Sequence, residues 1–169
     1  VNTTATNKTR PDIPQFKRSY PSVELTDINT RNSNQYLAPK IDGAHVAIAL
    51  RPERRIDTFS YRPSKKSVSL IDHSFKSDLY KIKSPRSLGN TVLRGEIYGI
   101  DKKTGTVVPS TETAGLLNSS TWRSREEQKL RGVELRHTVF DIDKFKGKDV
   151  SNLPYEQKLI LLNRVKSEI

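Results

Sequence analysis

Pro39-Lys40-Ile41-Asp42-Gly43 stands immediately ahead of a run of small and apolar residues, AHVAIAL, at 44–50. A lysine at such a position is costly to desolvate. Desolvation beside other cations also lowers an amine's pKa from its usual ~10.4, towards the unprotonated form that attacks electrophiles. The pattern is short, and a solvated charge at the mouth of an ordinary strand fits it too. Carboxylates recur in the two other strand-like stretches: Glu96 in TVLRGEIYGID, and Asp141 and Asp143 in VELRHTVFDIDKF.

Several chemistries are closed off by composition. The chain has no cysteine, which removes disulfides and thiolate metal sites. Its three histidines, His45, His73 and His137, are far apart, so a histidine metal cage is not expected. A divalent ion would instead be held by carboxylate, phosphate and water, the preference of Mg²⁺ or Mn²⁺. Thirty Lys and Arg against nineteen Asp and Glu give a net charge of +11. That excess favours a polyanion, nucleic acid by default, although a basic surface can also serve solubility alone.

At 169 residues, with 33% hydrophobic residues and a mean hydropathy of −0.68, the chain suits one domain with one core. No apolar run approaches the ~18 residues of a membrane-spanning helix. A soluble intracellular protein, cytoplasmic or nuclear and monomeric, is the expectation. Residues 1–21, rich in Thr, Asn and Pro, read as an extended or flexible arm, and 22–169 as the folded part.

The elements that must position the polar residues follow from periodicity. Strands are predicted at AHVAIAL, RIDTFSYRP, SVSLID, NTVLRGEIYGID and VELRHTVFDIDKF, with turns at RPERR and KKTGTV. SFKSDLYKIKS predicts a helix from the spacing of Phe75, Leu79 and Ile82. STETAGLLNSSTWRSREEQKLRG predicts partial helix with Ser124 to Glu127 as a capping box. NLPYEQKLILLNRVKSEI predicts a closing amphipathic helix after Pro154. Strands in runs with irregular connections give an α+β class, mainly antiparallel sheet with flanking helices. Such a sheet can bring its polar positions to one cleft.

PKIDG (39–43) resembles the Lys-x-Asp-Gly nucleotidyltransferase motif of ATP-dependent DNA ligases, RNA ligases and mRNA capping enzymes. TVLRGEIYGID (91–101) is similar to the Gly-Glu strand motif of that superfamily. TVFDIDKFKGKDVSNLPYEQK (138–158) resembles a longer DNA-ligase signature that follows it. The three occur in the family's order and extend over about 35–165. The resemblance implies the ligase and capping-enzyme nucleotidyltransferase (ATP-grasp-like) catalytic domain, in part. It also implies ATP as cofactor with Mg²⁺ or Mn²⁺, and nicked duplex DNA as partner, with RNA as the alternative.

Residue by residue, the resemblance implies Lys40 as the nucleophile towards the α-phosphate of ATP. Asp42 would position that lysine or a metal-bound water, and Gly43 would let backbone approach the nucleotide. Glu96 would contact ribose or metal, Phe140 would stack on adenine, and Arg62 would bind phosphate or sugar. The sequence departs from the family at His45, where an arginine contacting ribose is usual. It also departs at Ala38, where an acid or amide commonly reads the adenine, at Arg94, where an acid is usual, and at SYRPS around Arg62. The family's later glutamate and lysine motifs do not follow Lys158, and the chain opens on Val1, so a fragment of a longer enzyme is expected. An RNA ligase, a capping-type enzyme and a non-catalytic basic nucleic-acid-binding module remain alternatives.

Overall fold

The alternating and β-branched stretches form strands, as their period requires. The computed structural model describes residues 6–7, 41–63 and 68–169. Its strands are β1 (Thr6–Asn7), β2 (Ala44–Leu50), β3 (Ile56–Pro63), β4 (Val68–Asp72), β5 (Thr91–Asp101), β6 (Val133–Phe145) and β7 (Lys148–Asp149). They make one antiparallel sheet in the order β1-β4-β3-β2-β5-β6-β7. Three helices accompany it: α1 (Ser110–Asn118), α2 (Thr121–Arg131) and α3 (Tyr155–Glu168). The class is α+β. Among the described residues no helix is long and apolar enough to cross a membrane.

One sheet face carries the main core. Val46, Ile48 and Leu50 of β2, Leu93 and Ile97 of β5, and Leu135 and Ile142 of β6 pack with Leu116 and Leu117 of α1 and Leu162 and Val165 of α3. A smaller cluster of Ala47, Ala49, Phe59, Leu70 and Val92 lies on the opposite face. The sheet is curled. Thr58 of β3 lies 3.4 Å from the His137 ring of β6, although two strands separate them. In a flat sheet that span would be about 14 Å.

Bulges account for part of the curl. Opposite β5, Arg94 pairs with Asp141 but Gly95 with Val139, and Leu93 pairs with Ile142 but Val92 with Lys144. Phe140 and Asp143 are therefore the extra residues of β6, and a bulge of this kind bends and twists its strand. At the first bulge a Cβ on Gly95 would collide with the Thr138 carbonyl oxygen, so only glycine fits.

Three sequence expectations need correction. Residues 75–82 are not an amphipathic helix but a short 3-10 turn at Asp78–Lys81, with Phe75 and Ile82 exposed. The helical stretch near 110–131 is two helices, split at Ser119-Ser120. The Ser119 hydroxyl donates to the Leu116 carbonyl, and that of Ser120 accepts from the Arg123 amide. Ser120, not Ser124, is thus the N-cap of α2. Ser124 is buried within the helix against Gln128. Most of the expected arm lies outside the described residues, but Thr6 and Asn7 pair with Ile71 and Leu70 of β4.

Candidate functional site

β2, β5 and β6 are neighbours, and their register decides which polar residues meet. His45 of β2 is directly opposite Glu96 of β5, which is opposite Thr138 of β6. Directly opposed residues share a face, so His45 and Glu96 project to the same side. The first bulge of β6 brings Phe140 to that side too. Its ring centroid lies 5.5 Å from the His45 ring, tilted by 41°. Residues almost a hundred positions apart in the chain thus form one half-buried surface.

The bulge is fixed from behind. The Tyr155 hydroxyl donates to the Phe140 carbonyl at 2.6 Å, and the Lys158 ammonium lies 3.3 Å from the Asp141 carboxylate. The same carboxylate accepts from the Ile142 amide at 2.8 Å. Tyr155 and Lys158 are three apart in the first turns of α3 and so lie on one side of it. Sequence reading did not single out either as part of a site. Their signal was present in the spacing of LPYEQK behind FDID.

Beside Glu96, Arg94 donates to Asp143 at 2.6 Å in a pair nearly closed to solvent. Burial pushes the Asp143 carboxyl above its usual range despite that partner. Burial, assisted by the Arg94 cation and opposed by Asp141, lowers the His45 pKa from 6.5 to about 4. His45 is therefore a neutral ring near pH 7, able to pack against an aromatic face or to exchange hydrogen bonds without adding charge.

Of the remaining residues singled out by sequence, Asp42 and Gly43 are described in full. Asp42 is exposed, and its carboxylate accepts from the Ser110 amide at 2.8 Å, at the start of α1. An anion there is favoured by the helix dipole. Asp42 therefore ties the segment entering β2 to the start of α1. A Cβ on Gly43 would collide with the Ile97 carbonyl oxygen, so this glycine serves close contact with β5. Arg62 is in β3, paired with Ser69 of β4, and its side chain lies outside the described residues. Lys40 and Ala38 also lie outside them.

For a bound nucleotide this surface offers a flat aromatic face, a neutral imidazole and a carboxylate within one strand spacing. For a divalent ion it offers Glu96 as one oxygen donor, to be completed by phosphate and water. Among the described residues no three carboxylates or imidazoles converge into a metal cage. No model of a known protein family matches the sequence, and no curated protein matches it.

Proposed function

We propose that the chain carries part of the adenylation domain of an ATP-dependent polynucleotide ligase, acting on nicked duplex DNA. One observation carries this reading. The strand that follows Lys-Ile-Asp-Gly, the Gly-Glu strand and the Phe-Asp strand are adjacent, in a register that sets His45, Glu96 and Phe140 on one face. The adjacency of these three strands supports the reading, because each follows or carries a stretch that resembles a nucleotidyltransferase motif.

On this reading adenine stacks on Phe140, and Glu96 accepts from ribose hydroxyls or holds a metal-bound water. His45, neutral, replaces a charged contact to the sugar. The unprotonated Lys40 Nζ attacks the α-phosphorus; the P–N bond forms, the bond to pyrophosphate breaks, and the nitrogen loses one proton to solvent and keeps the other. Mg²⁺ or Mn²⁺, when bound, neutralises charge on the phosphates. The net charge of +11 suits sequence-independent contact with DNA phosphates.

The test is covalent labelling. The chain is incubated with ATP or GTP carrying an α-phosphate label and Mg²⁺, then run on a denaturing gel. Acid-labile label from ATP is expected, together with its complete loss in Lys40→Ala and in Lys40→Arg, since arginine stays protonated. Label from GTP would assign capping-type chemistry. Absence of label together with salt-sensitive DNA binding would leave the non-catalytic basic module.

A further inference from the structure

Away from the sheet face, the segment 74–86 and the first turns of α2 present large apolar side chains to solvent. Phe75 is 50% exposed, Tyr80 36% and Trp122 73%. Their exposure is built in. Ser74, Lys76 and Ser77 around Phe75 are buried, and the backbone there is stapled down. Arg125 donates to the carbonyls of Phe75 (2.8 Å) and Ser77 (2.7 Å), and Gln128 donates to that of Lys76 (2.8 Å). The fully buried Lys76 ammonium donates to the Leu117 carbonyl at the end of α1. The rings are thus held outwards on a fixed frame.

The rings are also arranged with cations. Phe75 and Tyr80 meet edge to face at 5.1 Å, and the Arg125 guanidinium sits 5.8 Å from the Tyr80 centroid. Trp122 lies three residues before Arg125, on the same side of α2. Lys81, Lys83, Arg86 and Arg123 are exposed in the same two segments. Of the acids in these segments, Asp78 is engaged by Arg125 and Lys81 and Glu127 by Arg131, while Glu126, one turn after Trp122, is exposed, so the cations still outnumber the acids.

From this face we infer a docking surface for single-stranded DNA. Unpaired bases offer π-faces that stack on exposed aromatic rings, while the backbone phosphates meet neighbouring cations. A duplex keeps its base faces covered and cannot use the rings. A protein partner would suit the rings and arginines, but not Lys81 and Lys83, since protein interfaces are depleted in lysine. Stacking and phosphate pairing make no use of a 2′-hydroxyl and so fit RNA as well; the choice of DNA rests on the ligase reading above. The stacking itself does not depend on nucleotide transfer by Lys40.

Trp122 is the chain's only tryptophan, so its emission reports on this face alone. At low salt, oligo-dT of about a dozen nucleotides should quench it saturably, and a duplex of equal length should bind more weakly. Labelled oligo-dT should bind Trp122→Ala and Tyr80→Ala at least ~5-fold more weakly than the parent, with melting temperatures unchanged. Lys81→Gln with Lys83→Gln should flatten the salt dependence. Binding without quenching, parent-like affinity in Trp122→Ala, or a duplex bound equally well would overturn the assignment. Tighter binding of oligo-U would transfer the face to RNA, and a dimer that Trp122→Ala dissociates would give it to a second copy of the chain.

Discussion

Two arginines organise two regions, and they do it in opposite settings. Arg94 lies in the middle of β5, its side chain 12% exposed, against the Asp143 carboxylate. Arg125 lies on α2, its side chain 34% exposed, forked across Asp78 and two backbone carbonyls. The acids record the difference. Burial drives the Asp143 carboxyl up and Arg94 does not reverse it. Slight burial also pushes Asp78 up, but hydrogen bonds from Arg125 and Lys81 more than reverse it. The sheet pair fixes a bulged strand in low dielectric, where removing one partner strands the other. The helix pair holds an exposed loop in place, where water can substitute for either partner.

The largest effect should come from separating the sheet pair. Arg94→Leu leaves a buried carboxylate unpaired and should lower stability by about 3–5 kcal/mol, whereas Arg94→Leu with Asp143→Leu should recover much of that. Arg125→Ala should cost about 1 kcal/mol, because its contacts are exchanged for water. Urea denaturation of the three variants measures the contrast directly. Equal losses at the two arginines would remove the distinction drawn between the regions.

Acid should act on the sheet region first. The His45 and His137 pKa values are lowered from 6.5 to about 4, chiefly by burial. Between about pH 6.5 and 4 the unfolded rings take up protons that the folded rings refuse. Stability is therefore complete above that window and falls as pH falls through it, by up to about 3 kcal/mol for His137 and by less for His45, which solvent screens more. Asp143 works in the opposite sense at the acid end, since its raised pKa favours the folded protonated form. Melting temperatures taken across the window should decline, and His45→Gln should shallow the slope. A flat profile would mean that both rings accept protons in place.

Periodicity was enough to locate β2 to β6, because β2 alternates Val, Ile and Leu with Ala and β5 interleaves apolar residues with Arg94 and Glu96, although β2 is buried on both faces. The grouping of Lys40, Glu96 and Phe140 came from the resemblance of three short stretches to one family's motifs, not from period. Periodicity was not enough for residues 75–82, where three apolar residues at helical spacing are split between roles. Leu79 packs on the core, while Phe75 and Ile82 face solvent. What overrides the spacing is a set of long-range hydrogen bonds from Arg125, Gln128 and Lys76, none of them visible to a local pattern. The contact between His45 and Phe140 was hidden for a similar reason. It depends on a bulge at Phe140, and single-residue register shifts leave no mark in composition.

A small effect on stability, and the most informative about the sheet region, is expected at Phe140. If its ring merely filled the core, shortening it would act through packing alone. Yet Phe140 is half-buried, its carbonyl is held by Tyr155 independently of the ring, and its ring meets His45 on the face that also carries Glu96. Phe140→Leu keeps an apolar side chain of similar volume and should cost less than about 1.5 kcal/mol. It removes the flat face, so at limiting ATP the nucleotide label should fall several-fold, and raising ATP should restore it. A lower plateau that excess ATP does not lift would show the residue acting on attack geometry instead of binding. Undiminished labelling at limiting ATP would return Phe140 to the core and leave Glu96 and His45 to hold the nucleotide without a stacking partner.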